Sequence, residues 1–377
     1  MYPENANSPV LCLDAGPALA PEPAPDVCLA PGIPEGAESA LADLYGSFYA
    51  SLPQLEIESG THGVQSYAEY RNGKLTELWL YRIESAAVRV LNEAIPVHAA
   101  TVERFARAVF TAHPDTGMLL FNAIYPQGDR LALPHLRMHG SDDCVLTLPA
   151  SEEAYLAALG KATRKNMKRY LNRFKEAFPS FRYEVVEGAA VSADLLGAVV
   201  ALNRERMAAK GKVSGIDAAE EARMLQLVHR CGFVGAGTID GKVCAGAVVY
   251  RSGNNYFSFV RAHDPAYNDY RLGLIGAWHL VCTCIARGGR ELHFMWGKEP
   301  HKALLGGEQR VLERMLVFRS RARMLRHADA ALRHLSDAWA RRTRQYMFER
   351  ARRDDRLGHM LATTLAHARR IKRRLHP

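Results

Sequence analysis

The stretch His263-Asp264-Pro265-Ala266-Tyr267-Asn268-Asp269-Tyr270-Arg271-Leu272-Gly273-Leu274-Ile275-Gly276 joins a predicted strand to a predicted helix and brings Gly273 to the start of that helix. The first N–H groups of a helix lack partners within the helix and carry a partial positive charge, which suits a pyrophosphate. A glycine lets phosphate oxygens approach the backbone closely, and Arg271 adds a charge-assisted donor. A purely structural turn also fits these residues, since glycines are common at helix starts.

The elements around this stretch follow a mixed α/β order. Helices at 193–209 and 218–230 precede strands at 232–239, 242–250 and 255–262, and a helix at 273–287 is followed by a short strand at 291–295. Asp240-Gly241 is a typical hairpin turn between the first two of these strands. We therefore expect two helices, three antiparallel strands, a helix and a strand.

The chain before this region divides into two parts. Residues 1–36 hold eight of the eighteen prolines, and such a segment buries too little apolar surface to fold, so a disordered leader is expected. In residues 37–149 the pattern predicts strands at 75–83, 86–91, 118–124 and 144–148 and a helix at 101–112. This part lacks clustered polar residues of a catalytic kind, and we expect a supporting half-domain.

A strongly basic face distinguishes the helix that follows Ser151. Apolar residues recur three and four apart on one side, whereas the other side carries Lys161, Arg164, Lys165, Lys168, Arg169, Arg173 and Lys175. Seven like charges on one short helix repel one another. An anionic partner would relieve that repulsion, and a merely solvated face is the equally weighted alternative.

The net charge of +9 is concentrated in the tail. Residues 321–377 hold sixteen Lys or Arg and five Asp or Glu, which gives +11 locally and leaves about −2 for the rest of the chain. The spacing of apolar residues between these arginines predicts basic amphipathic helices. Such helices can contact anionic lipid, bind nucleic acid, or pack on their own domain, and the cluster at 369–374 best fits a membrane surface.

The composition excludes several functional classes. The 377 residues are 48% hydrophobic, but no run of eighteen apolar residues predicts a membrane span. The first Lys or Arg is Arg71, so a secretory signal is not indicated, and we expect a cytoplasmic protein. Seven cysteines include the pair Cys282 and Cys284, which has no second pair at zinc-like spacing, so we expect no metal.

Four segments in a fixed order carry a resemblance to a known family. They are Leu159 to Asn166, Leu202 to Gly211, Thr238 to Gly246, and the stretch from His263 through Gly273 to Lys302. With them, residues 150–320 resemble GNAT-like acetyltransferases named for cellulose biosynthesis (the CelD/BcsL type), which are related to Fem-type peptidyltransferases. The resemblance implies an α/β (α+β) GNAT fold with two GNAT-like halves at 37–149 and 150–320, and a basic helical extension at 321–377.

The resemblance also implies where a donor would lie. Acyl-CoA would occupy the cleft where strand 255–262 diverges from strand 291–295. The backbone of Phe259 and Val260 would form hydrogen bonds with its pantetheine. The pyrophosphate would be held by Tyr270, Arg271, Leu272, Gly273, Leu274, Ile275 and Gly276. This chain departs from the common GNAT loop, which has Gln or Arg at the position of Tyr270 and Gly or Ala at that of Ile275. At the position before the final Lys of the motif, where the family usually has Tyr, this chain has His301.

Acyl transfer to an amine needs a base, polarisation of the thioester, and an acid for the thiolate. Glu299 is the first candidate base and Asp264 the second, although each also fits a cap or turn role. His301 is a candidate acid. The residues expected to bind the acceptor are cationic: Arg164, Lys168, Arg206 and Lys302.

These patterns favour an acyl-CoA-dependent N-acyltransferase acting on an amine or hydroxyl of a sugar, polysaccharide or cell-surface precursor. The acceptor would be anionic or sugar-linked, and the basic tail could hold the protein at the inner face of the membrane. A Fem-like aminoacyl transferase using charged tRNA is the first alternative. A non-catalytic GNAT fold binding anionic lipid or nucleic acid is the second.

Overall fold

The computed structural model describes residues 24–128, 131–209, 211, 213–296, 300–329 and 331–336. The N-terminal half contains β1 (Asp26–Pro31), α1 (Ala37–Tyr45), α2 (Leu52–Glu58), β2 (Val64–Arg71), β3 (Lys74–Glu84), β4 (Ala87–Val90), β5 (Ile95–His98), α3 (Ala99–Ala112), β6 (Met118–Gln127) and β7 (His135–Thr147). A short 3-10 turn, Phe48–Ala50, precedes α2.

The C-terminal half repeats this order after two additional helices. It contains α4 (Glu152–Ala158), α5 (Lys161–Ala177), β8 (Arg182–Glu187), α6 (Ala193–Ala209), α7 (Ala218–Cys231), β9 (Gly232–Ile239), β10 (Lys242–Ser252), β11 (Asn255–His263), α8 (Leu272–Ala286), β12 (Glu291–Trp296), α9 (Pro300–Leu304), β13 (Glu308–Phe318) and α10 (Arg321–Arg326). Further 3-10 turns lie at Gly188–Ala190 and Pro265–Tyr270.

The two halves are joined by an exchange of their last strands. In each half, a strand and two helices lead into three antiparallel strands, of which the last runs parallel to the strand that follows the next helix. The final strand then crosses over: β7 pairs with β12, and β13 pairs with β6 and β7. The described strands thereby form one sheet in the order β1-β2-β3-β4-β6-β13-β7-β12-β11-β10-β9-β8, with β5 beside β6.

Helices cover both faces of the sheet in the C-terminal half. On one face, α6 and α7 bury Val199 and Met224 against Val248 and Phe257. On the other face, α4, α5 and α8 pack on strand residues such as Ala247, within a separate apolar cluster. Both layers bury apolar area, and this burial is the main term that stabilises the arrangement. The gap between β11 and β12 therefore lies between two helical layers.

Most predicted elements of the C-terminal half are present. The predicted helix 193–209 and strand 232–239 coincide with α6 and β9, and the hairpin turn at Asp240-Gly241 has φ of 49° and 78°, as a primed turn requires. The helix expected to run on from Ser151 is divided in two, because Leu159 takes an extended conformation between α4 and α5.

The expectation of a disordered leader at 1–36 is wrong for its last part. Residues Asp26–Pro31 form β1, which pairs antiparallel with β2 from Asp26↔Tyr70 to Pro31↔Gln65. The backbone hydrogen bonds of a ready partner strand compensate for the weak apolar pattern of this segment. Residues 1–23 lie outside the described residues, as do 337–377, which include the basic cluster at 369–374.

Candidate functional site

A cleft opens between β11 and β12 in the middle of the sheet. These parallel strands pair only from Asn255↔Glu291 to Phe257↔His293, after which β11 stays with β10 and Trp296 pairs with β7. The register of β10 with β11 shifts at Phe259, which marks a bulge at the start of the divergence. The backbone edge of β11 beyond Phe257 is therefore available to a ligand.

The matching gap in the N-terminal half is filled by protein. There β4 pairs with β6 from Ala87↔Met118 to Arg89↔Leu120, and β5 then pairs with β6 from Ile95↔Ile124 to His98↔Gln127. The cavity beside that second pairing has a volume of about 300 Å³ and another along the β4–β6 pairing one of about 620 Å³, against about 760 Å³ for the cavity in the C-terminal cleft. The two halves share an architecture, but β5 continues the strand pairing in the first, whereas the second keeps the gap between its strands open.

The C-terminal cavity is lined from both helical layers. Asn203, Arg206 and Met207 of α6 contribute one wall, and Gly273, Gly276 and Ala277 of α8 contribute another. Because α6 and α8 cover opposite faces of the sheet, the cavity passes through the gap between β11 and β12. Two reactants could approach each other from the two faces.

The start of α8 forms one mouth of this cavity. Arg271 has φ of 62° and its side chain makes no capping hydrogen bond, so the N–H groups of Leu272 and Gly273 have no intrahelical acceptor at this mouth. A Cβ on Gly273 would lie 2.5 Å from Cε1 of His263, so glycine is needed there for close packing. A Cβ on Gly276 would meet only Ala245, at 3.7 Å.

The two positions that depart from the common GNAT loop have side chains packed into protein. Ile275 is fully buried, as is Leu272, in an apolar cluster with Phe174. The Tyr270 ring lies 4.9 Å from that of Phe178 and under the Arg173 guanidinium at 4.8 Å. Neither Tyr270 nor Ile275 lines the cavity. These two side chains therefore pack the loop against α5, and Arg271, Gly273 and Leu274 between them line the cavity.

The cavity is electropositive. Four cationic side chains line it, and none of its described lining residues is a carboxylate; the four are Arg206, Arg261, Arg271 and Lys302. Lys302 is only 3% exposed, and its Nζ donates to the carbonyl of Met295 at 3.0 Å. The Arg261 guanidinium lies over the Phe294 ring at 4.9 Å. A concave site with this charge suits an anionic ligand.

The other predicted site residues divide by location. Phe259, Val260, Leu274 and His301 line the cavity. Asp264 does not line it, and its Oδ1 accepts from the N–H of Ala266 at 2.9 Å as the cap of a 3-10 turn. Glu299 lies outside the described residues.

The basic residues predicted on α5 lie away from the cavity. Lys168 is exposed and Arg164 half-buried, and neither lines the cavity. The helix nevertheless reaches the cavity mouth near its C-terminal end, because Arg173 packs over Tyr270, the residue before Arg271. A basic surface therefore extends outward from the start of α8.

Two buried hydroxyl groups in the cavity were not predicted from the sequence. Ser258 is 4% exposed, and neither its Oγ nor the buried hydroxyl of Tyr183 has a hydrogen-bond partner among the described residues. Both residues line the cavity. No sequence signal singles out either of them, since a serine and a tyrosine in strands are ordinary.

A polar cluster is buried where β7, β12 and β13 meet. Nδ1 of His293 lies 2.6 Å from Oδ2 of Asp143, and Arg310 donates to Glu291 at 2.8 Å. Burial alone would lower the pKa of His293, but its hydrogen bond with Asp143 and the nearby carboxylates of Asp143 and Glu291 raise it overall. The neighbouring His293, whose Nε2 lies 3.4 Å from Oε2 of Glu291, is the main cause that lowers the pKa of Glu291 to about 2. This cluster ties the two halves together.

Two other classes of site receive no support. Within the described ranges, no group of three or more His, Cys, Asp or Glu residues could hold a metal ion. The helices of the same ranges are all too short or too polar to cross a membrane.

Comparison with known proteins identifies the fold. Residues 161–303 match the family model of an acetyltransferase (GNAT) domain, whereas no curated protein sequence matches significantly. The chain is similar to the structure of FemX, with a TM-score of 0.55 and 8% identity over 77% of this chain and 96% of that chain. The domain match and this similarity confirm the expected mixed α/β GNAT fold.

Two further solved structures are similar at lower scores. One is the C-terminal domain of a putative lysylphosphatidylglycerol synthetase from Agrobacterium fabrum, with a TM-score of 0.43 and 13% identity over 68% of this chain and 83% of that chain. The other is a tandem GNAT protein from the clavulanic acid biosynthesis pathway, with a TM-score of 0.36 and 12% identity over 77% of this chain and 98% of that chain.

Proposed function

We propose that this chain transfers an acyl group from acyl-CoA to an amine or hydroxyl of a sugar or cell-surface precursor. The observation that carries the proposal is the cleft beyond Phe257, which joins an exposed strand edge, an uncapped helix start and a cationic lining. Within the GNAT fold, this combination accepts a donor with a phosphorylated end and an amide-containing arm.

The donor would lie along β11. Its pyrophosphate would receive hydrogen bonds from the first N–H groups of α8 and from Arg271, because a helix start favours negative charge. The amide-containing pantetheine arm would pair with the β11 edge near Phe259 and Val260, as an added strand does. The thioester would then lie at the bulge, close to the gap in the sheet.

The acceptor would approach from the α6 side of the gap. Its amine or hydroxyl attacks the thioester carbonyl carbon, the new C–N or C–O bond forms, and the C–S bond breaks. The acceptor's proton passes to a base and the departing thiolate takes a proton from an acid. Backbone N–H groups at the bulge would stabilise the oxyanion.

The proton-transfer roles go to candidates near the end of β12 and the start of α9. Glu299 is the proposed base, since the carboxylate of Asp264 is already engaged as a turn cap. His301 lines the cavity and is the proposed acid. Arg206 and Lys302 would bind an anionic part of the acceptor, whereas Arg164 and Lys168 could touch only a ligand large enough to extend along α5.

Aminoacyl transfer from charged tRNA is the second candidate, and the basic surface of α5 favours it. That surface continues from the cleft mouth through the contact of Arg173 with Tyr270. A polyanion much longer than CoA would gain from each further phosphate contact. The third candidate, a non-catalytic module for anionic lipid or nucleic acid, predicts binding without turnover of any acyl donor.

Titration calorimetry with acetyl-CoA tests the proposal. Gly276→Leu should abolish binding, because Gly276 lines the cavity and a Cβ there meets only Ala245, at 3.7 Å, so a larger side chain would occupy cavity volume. Gly160→Leu is the matched control, since a Cβ at Gly160 meets nothing within 4 Å and this residue does not line the cavity. Equal affinity in both variants would contradict the proposed donor site.

The membrane contact of the tail is a separate proposal. Co-sedimentation with anionic vesicles at low and moderate salt tests it, with a chain ending at residue 336 as the comparison. Binding that is lost with the tail supports the contact, and equal sedimentation of the two chains contradicts it.

A further inference from the structure

Ser258 lies at the closed end of the cleft. It directly follows Phe257, the last residue of β11 that pairs with β12, so it occupies the apex from which the strands diverge. Its side chain is 4% exposed and lines the cavity. The alternation of side chains along β11 places it on the same face as Tyr256, toward α8.

The cavity that this hydroxyl faces has apolar residues in its lining. Ala247, Ala277 and Phe294 line the same cavity, and none of them has a side-chain polar atom. The Oγ of Ser258 has no hydrogen-bond partner among the described residues. Buried hydroxyls are nearly always paired, because an unpaired one forfeits its bonds to water. A polar ligand atom in the cavity beside Ser258 could form the hydrogen bond that the hydroxyl lacks.

A second hydroxyl supports the same conclusion. The Tyr183 hydroxyl is buried without a partner among the described residues and also lines the cavity. It lies over Gly235, where a Cβ would overlap it, and the glycine therefore makes room for it. Gly235 pairs with Ala247, so this hydroxyl approaches the same region of the cavity from β8. An alkyl chain filling this end would leave both hydroxyls unpaired.

We propose that Ser258 determines donor specificity, and that the acyl group bound at this end carries a hydrogen-bonding substituent such as a hydroxyl or an amino group. This inference rests on the proposed acyl transfer. A pocket that hydrogen-bonds a substrate hydroxyl discriminates strongly against the analogue that lacks it. Plain alkyl acyl groups of the same length are therefore poorer ligands.

Paired ligands of equal length test this specificity. Dissociation constants of butyryl-CoA, 2-hydroxybutyryl-CoA and 3-hydroxybutyryl-CoA are measured by calorimetry with the unmodified chain. At least one hydroxylated ligand is expected to bind roughly tenfold more tightly than butyryl-CoA, the gain of one buried hydrogen bond. Equal affinity for all three overturns the inference without affecting the proposed function. Failure of every thioester to bind overturns both.

Serine variants supply the control. Ser258→Ala should reduce the preference to less than about twofold, since it removes the partner of the ligand hydroxyl. Ser252→Ala removes another hydroxyl that is 4% exposed and has no hydrogen-bond partner in the described part of the chain. Ser252 lies outside this cavity, so the full preference should remain. A preference that persists in Ser258→Ala overturns the assignment to this residue. The preference of the unmodified chain is a test that needs no variant to fold.

Discussion

The Nη2 atom of Arg261 lies 3.1 Å from Nε2 of His301, and both residues line the cleft. A guanidinium can only donate, so Nε2 of His301 is the acceptor in this contact. Protonation of Nε2 therefore requires that Arg261 turns to another acceptor. An anionic donor in the cleft would supply that acceptor.

Replacement of this arginine should weaken donor binding. Arg261→Gln removes a charged donor from the cavity, and acetyl-CoA affinity is expected to fall roughly tenfold in calorimetry. Arg290→Gln is the control, because Arg290 is exposed and does not line the cavity. Equal losses in both variants would mean that net charge, and not this contact, sets the affinity.

The two glycines of α8 should respond differently to alanine. Gly273→Ala places a Cβ 2.5 Å from the His263 ring, and we expect about 1–3 kcal/mol of destabilisation from the overpacking. Gly276→Ala has room and should stabilise the helix by up to about 1 kcal/mol. Urea denaturation gives both values. Similar destabilisation of the two variants would show that the packing around Gly273 is not special.

The buried cluster at the junction of the halves should make stability depend on pH. The pKa of His293 is raised in the folded chain, so its contribution is complete below the unfolded value of 6.5 and is lost as the pH rises through the folded value. The pKa of Glu291 is depressed to about 2, so its contribution is complete above 4.5 and is lost as the pH falls toward 2.

The loss of unfolding free energy in His293→Asn should therefore be largest between about pH 4.5 and 6.5. Removing one member of a buried charged pair typically costs about 3 kcal/mol or more. Denaturation of both chains from pH 4 to pH 9 measures the difference. A difference that does not change with pH would show that the cluster makes only neutral contacts.

Charge reversal on α5 separates the two donor classes. Arg164→Glu combined with Lys168→Glu should leave acetyl-CoA affinity unchanged, because neither residue lines the cavity. If tRNA is the donor, the double variant should weaken tRNA binding and reduce its salt dependence. Lys74→Glu with Lys242→Glu makes the same change of net charge on the exposed ends of two hairpins. Equal effects of the two double variants on tRNA would exclude a specific role for α5.

The C-terminal half was predictable because its signals are local. Helical periodicity fixed 193–209, and the Asp240-Gly241 turn fixed the β9–β10 hairpin. The start of α8 was also close to its predicted place, since the loop and Gly273 define it. These features depend on residues that are neighbours in the chain.

The features that were missed depend on residues far apart in the chain. The exchange of β7 and β13 sets the central part of the sheet, and its pairs join positions such as Glu308 and Val145. The strand β1 forms because β2 offers it an edge. Ser258 became notable only when the end of the β11–β12 pairing placed it at the apex. Local periodicity and residue spacing cannot predict pairings between residues so far apart in the sequence.

A crystal structure of the chain with CoA tests the central claim most directly. The account predicts the pyrophosphate within hydrogen-bond distance of the N–H groups of Leu272 and Gly273, with Arg271 beside it. The pantetheine would extend along β11 past Val260 toward Ser258. CoA bound elsewhere on the protein, or a cleft that stays empty at saturating CoA, would contradict it.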